Sequence, residues 1–350
     1  MTAKGGSFIG FLERWRENID LRAEEAVAAV SAVPQVVGII LGGSVGRGQA
    51  WPLSDIDLIY VATDAIGRDL PRRTDEIGHG LYKRQVSEGW STSVDVGKLF
   101  LTKDEAFDLI AGRCSLEDLM HIERVFHALD KCHGGRAAFV SEDCDTARLA
   151  ALLTKERFTK PVVRARQRER LNSASKHLKE VGRHLKLNDP VSAAVSVEQL
   201  ARPLVPFLLE NWRESDRSFG RVFTRFLREA DRNGADGIAS QILHLFALED
   251  DDVDRRFALA PPHVVERHDR SYAARRFIGE VITKHDDQRD VLYAFSWYAI
   301  RSGEVGADWV GLGTEPSAVT ERLEAALSIW NAAIVLANVE GEEASAFIVD

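Results

Sequence analysis

Two aspartates separated by one residue, Asp55 and Asp57, are the residues of this sequence best suited to metal chemistry. They stand at the start of the apolar run Ile56 to Val61, and alternate residues of a β-strand point to the same face of a sheet. Two carboxylates on one face repel each other unless a cation lies between them. Mg²⁺ is the usual cation, because it binds carboxylate oxygens and leaves other positions for water and substrate phosphates. The pair therefore predicts a metal site.

The turn before this strand is suited to binding phosphate. It contains a serine, Ser44, and several glycines: Gly42, Gly43, Gly46 and Gly48. Glycine lets backbone N–H groups approach an anion without a Cβ in the way, and the serine adds a hydroxyl donor. The turn lacks the Gly-Lys-Ser/Thr ending of a Walker loop and the setting of a dinucleotide fingerprint. An ordinary hairpin would explain the glycines, but it needs no paired acids on one face.

A third acid, Asp95, is the candidate to complete the metal site. It lies between Val94 and Val96 in the middle of a further predicted strand, Ser91 to Phe100. A lone carboxylate in a buried strand is destabilising, so we expect Asp95 to face the same metal as the first pair. The alternative is an exposed acid on an edge strand.

Together these stretches resemble the signature of the DNA polymerase β-like nucleotidyltransferase superfamily. That signature is Gly-Ser, a loop, and Asp-x-Asp; here it is Gly43-Ser44, the loop Val45 to Ser54, and Asp55-Ile56-Asp57, with Arg47 and Gly48 inside the loop. The resemblance covers roughly Val36 to Phe100. It implies that Asp55, Asp57 and Asp95 bind two Mg²⁺ ions, that Gly43, Ser44 and Arg47 contact the phosphates of a nucleoside triphosphate, and that Asp95 accepts the proton of the acceptor.

The elements that must position these residues predict an α+β protein with two domains. Residues 1–145 would form the nucleotidyltransferase domain, a mixed sheet with flanking helices. Its predicted helices are Phe8 to Val33, Leu70 to Ser87 and Leu101 to Leu119, and His121 to Leu129 would be its last edge strand. After about Asp145 the strand patterns end, and residues 146–350 predict an all-helical substrate-binding domain. We expect the active site in the cleft between the two.

Composition bounds the partners and the compartment. The net charge is −9, with 45 basic and 54 acidic residues, which argues against nucleic acid as the main partner and favours a neutral or cationic one. Three cysteines suit a reducing compartment. No apolar run is long enough for a membrane span, and the amino-terminal apolar run is too short for a signal peptide. The sequence thus predicts a soluble, cytoplasmic protein.

The function predicted from the resemblance is transfer of a nucleoside monophosphate, AMP from ATP, to a hydroxyl group, with release of pyrophosphate. The size, the helical second part and the acidic balance are most similar to aminoglycoside-type adenylyltransferases, so we expect a small acceptor that includes cationic, aminoglycoside-like compounds. A protein acceptor, as in toxin–antitoxin adenylyltransferases, and a non-catalytic nucleotide-binding regulator are the alternatives. The resemblance also implies two roles for the helical part. In antibiotic nucleotidyltransferases an acid of the helical domain can act as general base, which makes Glu198 a second candidate for that role. In relatives one or two basic residues of the helical domain reach the phosphates, and the segment 155–186, with 11 Lys or Arg against 3 Glu, is the expected source here.

Overall fold

The computed structural model describes most of the chain. The described residues are 8–50, 54–63, 69–87, 93–215, 222–259, 289, 290, 292, 293, 296, 299, 300, 308–339 and 347. They form a mixed α and β structure with a small mixed sheet, which confirms the predicted α+β class. They divide into two compact units, the first formed mainly by Met1–Val162 and the second by most of the chain after it.

The first unit is built around a five-stranded sheet. Its strands are β1 (Val36–Leu41), β2 (Ile56–Ala62), β3 (Val94–Asp95), β4 (Phe100–Thr102) and β5 (Arg136–Val140). The order is β3-β2-β1-β5, and β4 pairs with β2 beyond the end of β3. β2 is antiparallel to β1 and parallel to β3 and β4. Every residue of β1 and β2 is buried, as expected for strands covered on both faces.

Helices cover this sheet. They are α1 (Phe8–Ser31), α2 (Gly43–Gly46), α3 (Asp69–Ser87), α4 (Lys103–Ala111), α5 (Glu123–Cys132) and α6 (Thr146–Glu156). The predicted helices Phe8 to Val33 and Leu70 to Ser87 match α1 and α3. In α1, the buried residues Ile19, Ala23, Ala26 and Val30 recur every three or four positions, which places them on the face that packs on the sheet.

Three predicted elements of this unit differ from the structure. The segment His121 to Leu129 is not an edge strand, because most of it belongs to the amphipathic helix α5, and the last strand among the described residues is β5. The helix predicted for Leu101 to Leu119 is shorter: Thr102 caps α4 through a capping box with Glu105, and Gly112 ends it in the left-handed conformation.

The third difference is the strand predicted for Ser91 to Phe100, of which residues 91 and 92 lie outside the described part. The remainder forms two short strands, β3 and β4, with a turn at Gly97 and Lys98 between them. The buried hydroxyl of Tyr60 donates a hydrogen bond to the Gly97 carbonyl at 3.2 Å. This bond holds the turn against β2, so β3 ends immediately after Asp95.

Helix α6 belongs to the first unit although it follows the last described strand. Its buried residues Leu149, Ala150 and Leu153 form one face. A Cβ added to Gly38 in β1 would lie 2.3 Å from the Thr146 hydroxyl. The start of α6 therefore packs directly on the sheet.

The described part of the second unit is helical. Its helices are α7 (Lys160–Lys186, which begins in the first unit), α8 (Pro190–Ala201), α9 (Leu204–Asn211), α10 (Val222–Arg232), α11 (Asp236–Leu245), α12 (Asp250–Leu259) and α13 (Pro316–Ala337). They enclose a core of aliphatic and aromatic side chains that includes Phe207, Phe223 and Trp330. None of the described helices combines the length and apolar composition that a membrane-spanning helix requires.

Candidate metal and nucleotide site

The three aspartates selected from the sequence lie together at one end of the sheet. β2 and β3 run parallel, and Asp57 is the direct partner of Asp95 in their register. Asp55 precedes Asp57 by two residues. Adjacent strands are about 4.8 Å apart, and carboxylate oxygens of the three residues lie within 4.8 Å of one another. Oxygen ligands at this spacing fit a hard divalent cation such as Mg²⁺.

The three carboxylates differ in their exposure to solvent. Asp57 is buried, with 1% of its surface exposed, whereas Asp55 is half-buried and Asp95 is exposed. The expectation that Asp95 is buried in the middle of a strand was wrong. β3 has two residues and lies at the edge of the sheet, with β2 as its one partner among the described strands. Asp95 is thus exposed and also belongs to the acidic cluster, the group formed by Asp55, Asp57 and Asp95.

Sequence reasoning missed a fourth charged residue of this site, Lys131. It lies in the last turn of α5, and its Nζ is 2.7 Å from Oδ1 of Asp57. Its side chain is largely buried, with 21% exposed. No local pattern marks this lysine, since its position depends on where α5 packs against β2.

The electrostatic balance of the cluster favours a bound cation. Burial raises the pKa of Asp57 to about 7; Lys131 opposes this shift, and the carboxylates of Asp55 and Asp95 add to it. Asp95 reaches solvent, but the groups packed around its carboxylate displace part of its water; this loss of water raises the pKa of Asp95, and Lys131 again opposes the shift. One ammonium group therefore does not compensate for the burial and repulsion of these acids. A divalent cation would supply the missing positive charge, so the residues present fit a metal.

Burial also acts on the ammonium group. It would lower the pKa of Lys131, but attraction to Asp57, Asp55 and Asp95 outweighs it, and the pKa lies above its ordinary value. Lys131 is therefore a permanent positive charge within the cluster.

The glycine turn packs directly on Asp57 and on α5. Gly43 has φ of +59°, and a Cβ added to it would lie 1.8 Å from Oδ2 of Asp57. The backbone N–H of Gly42 donates to the Asp57 carbonyl at 2.9 Å. A Cβ on Gly42 would lie 2.5 Å from the Lys131 carbonyl oxygen. Both positions require glycine because the backbone approaches its neighbours so closely.

Ser44 and Arg47 occupy different surroundings. The Ser44 hydroxyl donates to the Ser54 hydroxyl at 2.7 Å, which ties the turn to the residue before Asp55. Arg47 donates to the His133 carbonyl at 3.4 Å, and its side chain covers Gly134. The structure thus brings Gly43 onto the acidic cluster and Arg47 onto the turn after α5. Contact of these residues with phosphate stays a prediction.

Glu198, the second candidate for the general base, is buried in α8, with 2% of its surface exposed. Its carboxylate lies 3.0 Å from Arg202 and 3.4 Å from Arg322. Two guanidinium groups already contact this buried carboxylate, which leaves little access for the hydroxyl of an acceptor. The exposed Asp95 is better suited to that role.

Part of the basic segment 155–186 is internal. The fully buried Arg157 binds Asp130 at 2.6 Å, and the fully buried Arg166 binds Glu210 at 2.7 Å. Buried arginines of this kind neutralise buried carboxylates. The candidates for a phosphate contact are accordingly among the other basic residues of the segment.

Comparison with known proteins does not add to these observations. No family model, curated protein or solved structure matches this chain. The function of this chain is therefore inferred from its residues and their geometry.

Proposed function

We propose that this protein is a Mg²⁺-dependent nucleotidyltransferase that transfers AMP from ATP to a hydroxyl group of a small acceptor and releases pyrophosphate. The observation that carries the proposal is the cluster of Asp55, Asp57 and Asp95, whose carboxylate oxygens lie within 4.8 Å of one another. The glycine turn in contact with Asp57 supports it further, because a phosphate held by that turn would lie next to the metal ligands.

The residues of the site have separate roles in this proposal. Asp55, Asp57 and Asp95 would hold the Mg²⁺ ions, which when bound supply positive charge to the triphosphate and to the phosphorus under attack. Backbone N–H groups of the turn and the Ser44 hydroxyl orient the phosphates. Asp95 accepts the proton of the acceptor hydroxyl, and its exposed position lets an acceptor reach it.

The proposed acceptor is a small, hydroxylated compound, and the class includes cationic compounds such as aminoglycosides. The acidic balance of the chain, with a net charge of −9, supports a cationic acceptor, because an excess of negative charge attracts cations to the surface. In this proposal the first unit is the nucleotidyltransferase domain and the helices of the second unit bind the acceptor.

The test is a transfer assay with the whole protein. Each labelled nucleoside triphosphate is incubated with Mg²⁺ and a panel of aminoglycosides, other hydroxylated metabolites and cell lysate. We expect label from ATP on a small molecule, and pyrophosphate in equal amount. Label on a lysate protein would support a protein acceptor instead, and nucleotide binding without any transfer would support a non-catalytic regulator.

Matched variants connect the assay to the site. Asp57→Asn removes a metal ligand and should abolish transfer. Asp69→Asn makes the same chemical change at an acid with an 88% exposed side chain on α3 and should leave transfer unchanged. Transfer at the wild-type rate in Asp57→Asn would refute the proposed site.

A further inference from the structure

Lys131 contacts the innermost carboxylate of the acidic cluster formed by Asp55, Asp57 and Asp95. Its ammonium group is 2.7 Å from Oδ1 of Asp57, and the Asp57 side chain is 2% exposed. Such a carboxylate has little room for a second cation from solvent. In the structure, the cation beside the innermost ligand of the acidic cluster belongs to the protein.

The charges around Asp57 determine how Lys131 would affect the binding of a divalent ion. Three carboxylates and one ammonium group leave two negative charges, which one divalent ion would balance. If Lys131 stayed in contact with Asp57, its ammonium group would repel the incoming ion at close range. A unit charge and a divalent charge about 4 Å apart repel each other even at the dielectric constant of water. This repulsion alone would lower the affinity of the site for the divalent ion by a factor of roughly 30.

We propose that Lys131 is a resident cation of the acidic cluster, which competes with the divalent ion for Asp57 and thereby lowers the metal affinity of the free protein. This inference rests on the proposed function, because it takes Asp55, Asp57 and Asp95 as metal ligands. Lys131 is a positioning residue in this role: it keeps the innermost ligand neutralised and in place until a metal ion takes over that contact.

The backbone around Lys131 supports a role in the site beyond that of a surface lysine. Its carbonyl oxygen would be 2.5 Å from a Cβ added to Gly42, so the last turn of α5 packs directly against the glycine turn. This packing places the lysine beside Asp57, while the flexible stem of its side chain allows the ammonium group to leave.

The test is Mn²⁺ binding to the whole protein without nucleotide, measured by the electron paramagnetic resonance signal of free Mn²⁺ at mildly alkaline pH. Lys131→Met keeps the length of the side chain and removes its charge, and we expect Mn²⁺ to bind roughly 10- to 100-fold more tightly than to the wild type. Lys131→Arg keeps the charge and should bind Mn²⁺ as weakly as the wild type. Thermal unfolding supplies a second measurement, because saturating Mn²⁺ should raise the Tm of Lys131→Met by more than that of the wild type.

Two outcomes would overturn the inference in different ways. Equal or weaker Mn²⁺ binding by a folded Lys131→Met variant would show that Lys131 does not compete with the metal, and the metal site would stand. Absence of Mn²⁺ binding in both the wild type and Lys131→Met would remove the metal site and with it the proposed function. Lys131→Gln serves as the neutral variant if Lys131→Met does not fold.

Discussion

At the scale of single residues, Asp57 connects the acidic cluster, Lys131 and the glycine turn. Its carboxylate belongs to the acidic cluster, binds Lys131 and fills the space where Gly43 would carry a Cβ. The stability of the protein should therefore depend on the protonation state of Asp57, because the neutral and the ionised carboxyl group interact differently with these neighbours.

The unfolding free energy of the metal-free protein should fall as Asp57 ionises. Its pKa is about 7 in the folded protein, against an ordinary value of 3.8, so the folded state holds a proton that the unfolded state releases. The resulting stability is complete below the ordinary pKa and is lost as the pH rises through the folded value. In urea unfolding with a chelator, we expect Asp57→Asn to match the wild type at the acidic end and to exceed it by up to about 4 kcal/mol above the folded pKa.

Asp55→Asn is the control for this experiment, since it removes a neighbouring acid and keeps the titrating one. It should retain most of the pH dependence of the wild type. Parallel stability curves for the wild type and Asp57→Asn would contradict the raised pKa.

Asp95 should matter more for the chemical step than for nucleotide binding. If it accepts the proton of the acceptor, Asp95→Asn should lower kcat by at least ~10²-fold, the low end for loss of a general base, with a smaller change in ATP affinity. Steady-state kinetics and calorimetry measure the two effects. Asp69→Asn is the matched control, because the Asp69 side chain on α3 is 88% exposed and is not among the three clustered acids. An unchanged kcat in Asp95→Asn would remove Asp95 from this role.

At the scale of elements, the glycine turn offers a comparison between two left-handed positions. Gly43 has φ of +59° and a potential Cβ contact at 1.8 Å, whereas Gly48 has φ of +67° and, among the described residues, nothing within 4 Å of its potential Cβ. Both substitutions to alanine should lower the unfolding free energy by roughly 1 kcal/mol for the left-handed backbone. Only Gly43→Ala also displaces the Asp57 carboxylate.

We therefore expect Gly48→Ala to bind Mn²⁺ as the wild type does, and Gly43→Ala to be less stable than Gly48→Ala and to lose Mn²⁺ binding. Urea unfolding and Mn²⁺ titration of both variants check this. Equal Mn²⁺ affinities in the two variants would mean that the turn does not position Asp57.

The elements near the site also show which features a sequence can predict. Strands β1 and β2 were predictable because each is a continuous apolar run. The common face of Asp55 and Asp57 was predictable because the two residues are separated by one position of an extended chain. Helix α5 was mistaken for a strand because Ile122, Val125 and Phe126 can be read as imperfect alternation. Its buried residues Val125, Leu129 and Cys132 have helical spacing, and the true edge strand β5 alternates between exposed and half-buried side chains.

Lys131 was not predictable, and the reason is tertiary. Its role depends on a contact between the end of α5 and the start of β2, residues far apart in the sequence. A lysine in a helix is usually solvated, and only packing places this one beside an acid. The same holds for the exposure of Asp95, which depends on the short length of β3.

At the scale of the whole molecule, each compact unit contains a hydrophobic core and a buried ion pair of its own. The core packed on the sheet lies within the first unit, and the core that includes Trp330 lies within the second. Arg157 binds Asp130 in the first unit and Arg166 binds Glu210 in the second. Because separate cores can unfold separately, the two ion pairs should stabilise different parts of the chain.

Hydrogen exchange measured by mass spectrometry on peptides of the whole protein tests this division. Asp130→Asn weakens the pairing of a buried arginine and should lower the stability of the first unit by roughly 3 kcal/mol, with faster exchange in α5 and α6. Glu210→Gln makes the equivalent change in the second unit and should speed exchange in α9 and in the part of α7 that follows Val163. Helix α6 is the informative element: its packing on β1 predicts that it exchanges with the sheet, whereas a domain boundary at residue 145 would make it exchange with the later helices. Faster exchange throughout the chain in either variant would contradict the division into two units.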